Sequence, residues 1–464
     1  MWSFLLYLTG WPLALLLFCG GLYFTIRTKF PQFRLFKESI RVVGEKPASE
    51  GSISSFGALM ISTASRVGTG NIIGVSTAIC VGGPGAVFWM WVTAILGGAS
   101  AFVESTLAQI YKKRDPEGGS YGGPAYYIEA ALHSRPLAIT FVVALIITYA
   151  VGYNMLASYN LQSAFSGFGF YQANPKMTAT VIGAIIAIVF LYTMLGGGKR
   201  LVKVTGTLVP IMGILYVLMA IIALLLNIKN VPHMFGMIFA DAFDFQSIFG
   251  GFMGSCLMMG FKRGLYSNEA GIGSAPNAAA AADVSHPAKQ GLVQMLSVFI
   301  DTLLLCSATA FMTLCSGVEP NADIAGAGFV QAALSKTFGA AGPIFIAVAM
   351  VLFAFTTLLG NFYYVENGFA YIMKKTPSKG FTTCARIVGA VLIFLGAIVS
   401  FGFAWDLADV CQVVLAGLNI PVCIVLGGVA YKALDDYTAQ KAQGKNPTYN
   451  AKANGVKEKT DFWN

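Results

Sequence analysis

Charged residues are scarce in this chain of 464 residues: Asp, Glu, Lys and Arg make up 11% of it, whereas 56% is hydrophobic. A soluble globular domain usually carries about a quarter charged residues, so the composition excludes an ordinary soluble protein. The charges are also segregated, and apolar runs of about 18 residues or more separate them. Each run is long enough to cross a hydrocarbon core about 30 Å thick.

Several other patterns are missing, and each absence removes a class of function. The eight cysteines form no Cys-x-x-Cys pair and lie mostly within apolar runs, as small buried residues do. His133, His233 and His286 lie far apart in the sequence and show no metal-ligand spacing. No Gly-x-x-x-x-Gly-Lys-Ser/Thr run occurs, so ATP coupling within this chain is not supported. The first apolar run lacks a basic leader and an Ala-x-Ala cleavage site, which favours a retained helix over a signal peptide.

Hydropathy predicts eleven transmembrane spans. The runs lack the strict alternation of a barrel strand, so helices remain as the way to satisfy backbone polar groups in lipid. The predicted spans are 4–26, 54–82, 85–111, 137–165, 177–196, 204–227, 245–270, 288–315, 341–373, 382–401 and 407–431. The chain is therefore predicted to be an all-α polytopic membrane protein.

The basic residues predict the orientation of these spans. The chain has a net charge of +9, and by this assignment about 26 of its 30 Lys and Arg lie on one face. Because cytoplasmic loops carry the excess of Lys and Arg, the N-terminus is predicted to be outside and the C-terminus in the cytoplasm, in a plasma (inner) membrane. The polar tail after residue 432 is predicted to be solvated, and disordered past Lys441.

Ten spans remain when the first is set aside, and they divide into five plus five. Span two enters the membrane from the predicted cytoplasmic side, whereas span seven enters from outside. Two five-helix units of opposite topology are typical of transporters built from inverted repeats. The predicted organisation is an extra N-terminal helix and linker, two halves and a tail: 1–53, 54–243, 244–432 and 433–464.

The first helix of each half is expected to be interrupted near the bilayer midplane. Span two contains Ser65-Arg66-Val67-Gly68-Thr69-Gly70-Asn71, which is poor helix material. Span seven contains Gly250-Gly251, Gly254 and Gly260 around Ser255-Cys256-Leu257-Met258-Met259. Unwinding frees N–H groups that can hold a substrate carboxylate and carbonyls that can ligate a dehydrated cation. Glycines also serve close helix packing, so the Gly-x-Gly-Asn sequence in span two is the more specific signal.

Two long motifs resemble the alanine or glycine:cation symporter family (sodium:alanine symporters). The first is Arg66-Val67-Gly68-Thr69-Gly70-Asn71-Ile72-Ile73-Gly74-Val75, followed by residues 82–91. The second is Lys262-Arg263-Gly264-Leu265-Tyr266-Ser267-Asn268-Glu269-Ala270-Gly271, continuing to Pro276. The resemblance covers all but the polar tail. It implies a LeuT-like 5+5 core with one extra N-terminal helix and sodium-coupled import of a small neutral amino acid.

The resemblance also implies site residues by position. Substrate contacts are expected from the two interrupted helices and span nine, at Gly68, Thr69, Gly70, Asn71, Met258, Met259 and Asn361. Sodium ligands are expected from the resemblance at Ala64, Val67, Asn71, Phe353, Thr356 and Thr357, and Asp301 is added as an intramembrane carboxylate suited to the region of the first break. On spacing alone, the two threonine hydroxyls would be interpreted as bonding back to the carbonyl four residues earlier.

Asn361 is a departure from the family pattern. Many members have Gly-Trp where this chain has Gly360-Asn361. If that Trp lines the substrate pocket, the smaller amide predicts a roomier and more polar pocket, suited to glutamine. The alternative is that Asn361 only bonds a neighbouring helix.

Ionisable residues within spans are costly in lipid and usually face the bundle interior. Asp301 is predicted either to complement Arg66 or to supply a sodium ligand. Glu104 is predicted to partner Arg66 or exposed backbone N–H groups, and Glu366 is predicted to be structural. A separate group, Lys262, Arg263, Asn268 and Glu269, is predicted to lie near the cytoplasmic end of span seven as a gate or polar cap.

Alternative functions are a proton-coupled amino-acid transporter of the same fold, a channel and an intramembrane enzyme. A channel needs a continuous polar pore, and few polar residues line the spans away from the two interruptions. Ser65 and Ser267 have no histidine suited to a catalytic relay, which disfavours an enzyme. The favoured prediction is a sodium-coupled symporter for alanine or glycine, with glutamine as a further candidate, working by alternating access.

Overall fold

The computed structural model describes residues 2–47, 49, 52–115, 119–244, 255–375 and 377–463, apart from the side chains of residues 198, 199, 201 and 202. The helices of the N-terminal part are α1 (Trp2–Leu8), α2 (Trp11–Arg27), α3 (Pro31–Arg34), α4 (Phe36–Val43), α5 (Ser55–Arg66), α6 (Val75–Gly82), α7 (Ala86–Ile110), α8 (Pro124–Leu132), α9 (Arg135–Ile146), α10 (Asn154–Ser163), α11 (Gly169–Ala173), α12 (Pro175–Leu195), α13 (Gly197–Leu226) and α14 (Val231–Ala242).

The remaining helices are α15 (Cys256–Asn268), α16 (Ala275–Ala281), α17 (Pro287–Val298), α18 (Ser307–Leu314), α19 (Ala327–Phe338), α20 (Ala341–Met373), α21 (Lys379–Ile398) and α22 (Phe401–Ala442). Three π-helical segments are Gly70–Gly74, Ile147–Tyr153 and Phe299–Cys306, and short 3₁₀ turns are Ile228–Asn230 and Ala322–Ile324. Strands β1 (Lys113–Arg114) and β2 (Ser120–Tyr121) form a small antiparallel hairpin.

Local sequence explains where several of these helices begin. Proline occupies the first turn of α12 and α17, where its missing N–H costs nothing. The side chains of Ser255 and Ser378 accept hydrogen bonds from the first turns of α15 and α21. The predicted helical spans therefore begin at ordinary capping sequences.

Nine helical segments in the described part of the chain are long and apolar enough to cross a membrane. The all-α, multi-pass character predicted from hydropathy is therefore confirmed. The predicted count of eleven includes two spans outside these nine. The predicted span 54–82 is divided after Arg66, and the first part of 245–270 lies outside the described residues.

The first predicted interruption is present. Helix α5 ends at Arg66, Val67 has an extended conformation with φ −74° and ψ 92°, and a π-helical turn starts at Gly70. We call residues 67–69 the first break. The Gly-x-Gly-Asn motif thus marks the end of regular helix as its composition predicts.

An interruption of regular helix in the second half follows α15, beyond the glycines that the sequence singled out. Gly250, Gly251 and Gly254 lie outside the described residues, but α15 runs through Met258, Met259 and Gly260 without a gap. The prediction of a break at Gly260 is therefore wrong. Regular helix instead stops after Asn268, where Glu269 (φ 53°), Gly271 (φ 88°) and Gly273 (φ 84°) have left-handed conformations that favour glycine. We call residues 269–274 the second break.

The C-terminal tail, residues 443–463, packs on the rest of the protein. Tyr449, Val456 and Trp463 are all less than a tenth exposed. The prediction of disorder past Lys441 is wrong because these apolar side chains supply buried area that the overall polar composition conceals. We call the side of the molecule that carries this segment the tail face.

Candidate functional site

Asn71 connects the first break to the π-helical segment that follows α17. Its Oδ1 accepts a hydrogen bond from the backbone N–H of Gly68 at 2.8 Å. Its Nδ2 donates to Asp301 Oδ1 at 2.8 Å and to the Asp301 carbonyl at 3.1 Å. The Thr309 hydroxyl donates to the Asn71 carbonyl at 2.6 Å. One buried amide therefore fixes both the geometry of the break and the position of Asp301.

Asp301 is fully buried and is held by hydroxyl groups as well as by Asn71. Ser267 Oγ and Thr302 Oγ1 donate to its Oδ2 at 2.7 and 2.9 Å. Within the described residues it forms no ion pair with Arg66, one of the two partners that the sequence left open. The result is a compact group of oxygen atoms beside the first break, and oxygen is the ligand type that a hard cation such as sodium prefers.

The last turn of α5 meets the second break at Ser65 and Glu269. The Ser65 hydroxyl lies 3.1 Å from Glu269 Oε1, and Ser274 Oγ donates to Glu269 Oε2 at 2.7 Å. A Cβ atom at Gly70 would lie 2.9 Å from the Tyr266 ring. Glycine at this position therefore permits the chain directly after the first break to approach α15 closely.

Helix α20 lies directly against the first break. A Cβ atom at Gly68 would lie 2.0 Å from Thr357 Oγ1, and one at Gly360 would lie 2.6 Å from the backbone nitrogen of Ser65. Thr357 Oγ1 is buried and has no hydrogen-bond partner among the described residues. Thr356 Oγ1 lies 3.1 Å from the carbonyls of both Leu352 and Phe353, so it bonds back along its own helix. The structure thus brings the predicted threonine pair next to the backbone of the first break.

A small cavity lies where these elements converge. Its volume is about 10 Å³, roughly that of one water position. The cavity is lined by Ser65, Arg66, Gly68, Thr69, Gly70, Tyr153, Tyr266, Glu269 and Thr357. It therefore touches both breaks, the π-helical segment after α9, and α20.

Asn361 lies one helical turn beyond Thr357 and is fully buried. Its Oδ1 accepts from Ser65 Oγ at 2.6 Å, and its Nδ2 donates to Asn154 Oδ1 at 2.9 Å. Asn154 Nδ2 has no partner among the described residues. Asn361 therefore bonds neighbouring helices, which is the alternative to a pocket-lining role that the sequence left open. One of its partners, Ser65, lines the cavity.

Glu104 supports the backbone of the second break. Its two carboxylate oxygens accept hydrogen bonds from the backbone N–H groups of Gly271 and Gly273 at 3.3 and 3.1 Å. Asn419 Nδ2 also donates to Glu104 Oε2 at 2.7 Å. This is the backbone role that was one of two predictions for Glu104, and it replaces the hydrogen bonds that unwinding removes.

Arg66 is buried next to both breaks but forms no ion pair among the described residues. Its Nη1 makes only long hydrogen bonds, of 3.3 and 3.4 Å, to the carbonyl and side chain of Gln294. Its Nε and Nη2 have no hydrogen-bond partner there. Glu366, in contrast, pairs with Arg386 at 2.7 Å, which agrees with its predicted structural role.

The charged group predicted as a polar cap lies inside the protein. Arg263 forms a bidentate pair with Asp409 of α22, at 2.8 and 3.2 Å, and its guanidinium lies 3.9 Å from the centre of the Trp405 ring. Lys262 Nζ lies 3.9 Å from the same carboxylate. The middle of α15 therefore carries this cluster, whereas Asn268 is the last residue of α15 and Glu269 is the first residue of the second break.

Met258 and Met259 lie away from the cavity lining. Met259 packs on Gly82, because a Cβ atom at Gly82 would lie 2.6 Å from the Cβ of Met259. The residues that sequence reasoning missed are Tyr153, Tyr266, Ser267 and Thr309. Tyr266 and Ser267 lie in the second family motif, seven to nine residues beyond the chosen methionines. The glycine pair Gly271 and Gly273 could have marked the second break.

Comparisons with known proteins agree with this architecture. The sequence model of the sodium:alanine symporter family matches residues 3–451. Amino-acid carrier protein AlsT of Bacillus subtilis is 45% identical over 432 residues, 93% of this chain and 90% of AlsT. The "Probable sodium/glutamine symporter GlnT" of the same organism is 42% identical, over 94% of this chain and 90% of GlnT. Sodium/alanine symporter AgcS of Methanococcus maripaludis is 36% identical, over 94% of this chain and 96% of AgcS.

Among solved structures, MhsT in complex with L-phenylalanine has a TM-score of 0.61 at 18% identity, covering 85% of this chain and 93% of that chain. This likeness shows the fold, which is LeuT-like. The family model and the relatives named above are those of transporters and not of enzymes. The chain belongs to the sodium:alanine symporter family, and it is a sodium-coupled amino-acid symporter.

Proposed function

We propose that this symporter imports a small neutral amino acid by alternating access, with the substrate bound where the two breaks meet. The observation that carries the proposal is the cavity bounded by Gly68, Thr69, Tyr266 and Glu269. In this assignment the backbone at 68–70 receives the substrate carboxylate, as interrupted helices do in transporters of this type. Met258 and Met259 stay as predicted contacts, although they lie outside the cavity lining.

Sodium is proposed to bind at two groups of oxygen atoms beside the first break. One group is Asn71 Oδ1 with Asp301, which Ser267 and Thr302 orient. The other comprises the carbonyls of Ala64, Val67 and Phe353 with the hydroxyls of Thr356 and Thr357. The close approach of Thr357 to Gly68 and its unpartnered hydroxyl support the second group.

The size of the cavity supports a conformational cycle. A volume of about 10 Å³ does not hold an amino acid, so the surrounding helices must separate when substrate enters. We propose that the tail face is cytoplasmic, on the evidence of its Lys and Arg, and that the membrane is the plasma (inner) membrane. The buried Arg263–Asp409 pair then closes the site toward the outside, and its separation admits sodium and substrate from there.

The proposed substrates are alanine and glycine, with glutamine as a candidate because Asn361 adds an amide beside Ser65. The name of the relative GlnT supports glutamine as a substrate. The name of AgcS supports alanine, and that of AlsT supports amino acids in general. A channel is not favoured, since the described polar groups of the site enclose a small cavity instead of a continuous path.

Substituting Asn361→Leu tests the glutamine assignment, because leucine has similar size but cannot bond Ser65 or Asn154. We expect glutamine to compete at least tenfold less well against alanine uptake, while the KM for alanine changes by no more than about threefold. Asn367→Leu is the matched control, since Asn367 lies on the same helix but borders a separate cavity. Equal losses for both amino acids, or no change in their ratio, would assign Asn361 a packing role only.

A further inference from the structure

The C-terminal tail reaches the end of α7 through two aromatic residues. Trp463 Nε1 donates to the carbonyl of Gln109 at 2.7 Å, and the Trp463 side chain is almost completely buried. The Phe462 and Trp463 rings lie 4.6 and 5.4 Å from Lys112 Nζ. Asp461 adds an ion pair with Lys113 at 3.1 Å. The tail is thus anchored by specific contacts and not only by general surface packing.

Two side chains at and just beyond the end of α7, those of Gln109 and Lys112, hold the end of α16, the helix that follows the second break. Lys112 Nζ donates to the carbonyl of Ala282 at 2.8 Å, and Gln109 Nε2 donates to the same carbonyl at 2.9 Å. These bonds satisfy carbonyls that a helix C-terminus leaves open. Burial lowers the pKa of the Lys112 ammonium to about 8, and Asp283 opposes this shift. The rings of Phe462 and Trp463 lie against this ammonium group, and their contact favours its charged form in the buried position.

The other end of the tail lies beside the start of α5, the helix that precedes the first break. Lys289 Nζ donates to Asn446 Oδ1 at 2.8 Å and pairs with Glu45 Oε2 at 2.7 Å. Ser285 Oγ donates to the Pro447 carbonyl at 2.8 Å. Directly beneath, the Asp283 N–H donates to the carbonyl of Ile53 at 2.9 Å, which ties the loop after α16 to the segment before α5.

The start of α5 and the end of α16 therefore both lie on the tail face, under a single stretch of chain, the C-terminal tail. For the site to open toward this face, α5 and α16 must separate from each other or from α7. That movement changes the contacts of Gln109 and Lys112, and Trp463 is attached to both residues, through the Gln109 backbone carbonyl and the Lys112 ammonium.

We infer that Phe462 and Trp463 are positioning residues of the transport cycle, which hold Gln109 and Lys112 on the end of α16 and so stabilise the state closed toward the tail face. This inference rests on the proposed alternating-access function. When a ligand binds only one of two states of a protein, its apparent affinity is its intrinsic affinity multiplied by the fraction of molecules in that state. Loss of the aromatic contacts should therefore weaken apparent sodium binding from the opposite face and strengthen it from the tail face.

The test measures the KM for sodium from each face in oriented proteoliposomes, for the full chain and for Trp463→Ala. We expect the KM to rise at least threefold on the opposite face and to fall at least threefold on the tail face. Trp463→Phe, which keeps a ring but loses the N–H donor, should lie between Trp463→Ala and the unmodified chain. Lys459→Ala is the matched control, because Lys459 is an exposed residue of the same tail, and its two KM values should not change.

Unchanged KM values, or a lower maximal rate with both KM values moving in the same direction, would overturn the inference. If Trp463→Ala does not yield folded protein, Trp463→Phe supplies the same comparison with the same opposite shifts expected. Failure of the proposed function gives a different result, since the unmodified chain would then show no sodium-dependent uptake from either face.

Discussion

Replacing Asn71 with alanine is expected to reduce sodium-dependent uptake at least 100-fold while leaving the protein folded. Asn71 supplies the acceptor for the Gly68 N–H and the donor to Asp301, so its loss removes the link between the first break and the proposed sodium ligands. It also removes an amide oxygen that we propose as a ligand. Uptake of labelled alanine into proteoliposomes measures the effect, and size-exclusion chromatography in detergent checks folding.

Asn174→Ala is the matched control for this substitution. Asn174 accepts a hydrogen bond from Met177 at the start of α12, on the surface and outside the site. Loss of a side chain that caps a helix start costs about 1 kcal/mol of stability. Because Asn174 lies outside the site, the KM for sodium should not change. Uptake by Asn71→Ala within a few-fold of the unmodified chain would contradict the role assigned to Asn71.

The second large effect is expected for Glu104→Ala, on stability more than on substrate choice. The substitution leaves the N–H groups of Gly271 and Gly273 and the Asn419 amide without an acceptor in a buried position. An unsatisfied buried donor costs about 1–3 kcal/mol, so we expect a loss of several kcal/mol in total. Thermal unfolding in detergent should show a clearly lower midpoint and a reduced yield of folded protein.

Glu104→Gln separates charge from hydrogen bonding at the same site. Glutamine keeps one acceptor oxygen but presents an N–H₂ group to a backbone donor, so its midpoint should lie between those of Glu104→Ala and the unmodified chain. Glu319→Ala, which removes an exposed carboxylate, should leave the midpoint unchanged. A midpoint for Glu104→Ala equal to that of Glu319→Ala would show that the second break does not depend on Glu104.

The first break could be predicted because its conformation and its polar groups depend on residues that are adjacent in the sequence. Two glycines followed by Asn71 disfavour helix and supply an amide, and both consequences follow from local sequence. Glu104 and Asp301 could be selected because carboxylates in apolar spans need partners. Their particular partners could not be chosen, since Gly271, Gly273 and Ser267 are distant in the chain and only tertiary packing brings them close.

The assignment of Gly260 to a break was wrong because glycine content alone does not distinguish packing from unwinding. Gly260 faces the backbone of α7, where a Cβ atom would lie 2.7 Å from the Ala86 carbonyl, so its role is close packing. Gly271 and Gly273 have positive φ angles and the Gly-x-Gly spacing of the first break. A search for that repeated spacing in the second half would have located residues 269–274.

The tail was misjudged for a related reason. Its average composition is polar, but Phe462 and Trp463 pack on Lys112 and Tyr449 packs on the ring of His286. Composition averages conceal a few aromatic residues, whose burial can order a short segment. The sodium coupling and the amino-acid class, in contrast, could be predicted through the two family motifs, which cover both breaks.

The central claim is that a sodium gradient drives an amino acid through the site between the two breaks. The direct measurement is uptake of labelled alanine, glycine and glutamine into proteoliposomes, with an inward sodium gradient and with equal sodium on both sides. We predict saturable accumulation of at least one of these amino acids above its external concentration only when the gradient is present. Uptake that is indifferent to sodium, or that never exceeds equilibration, would contradict the account.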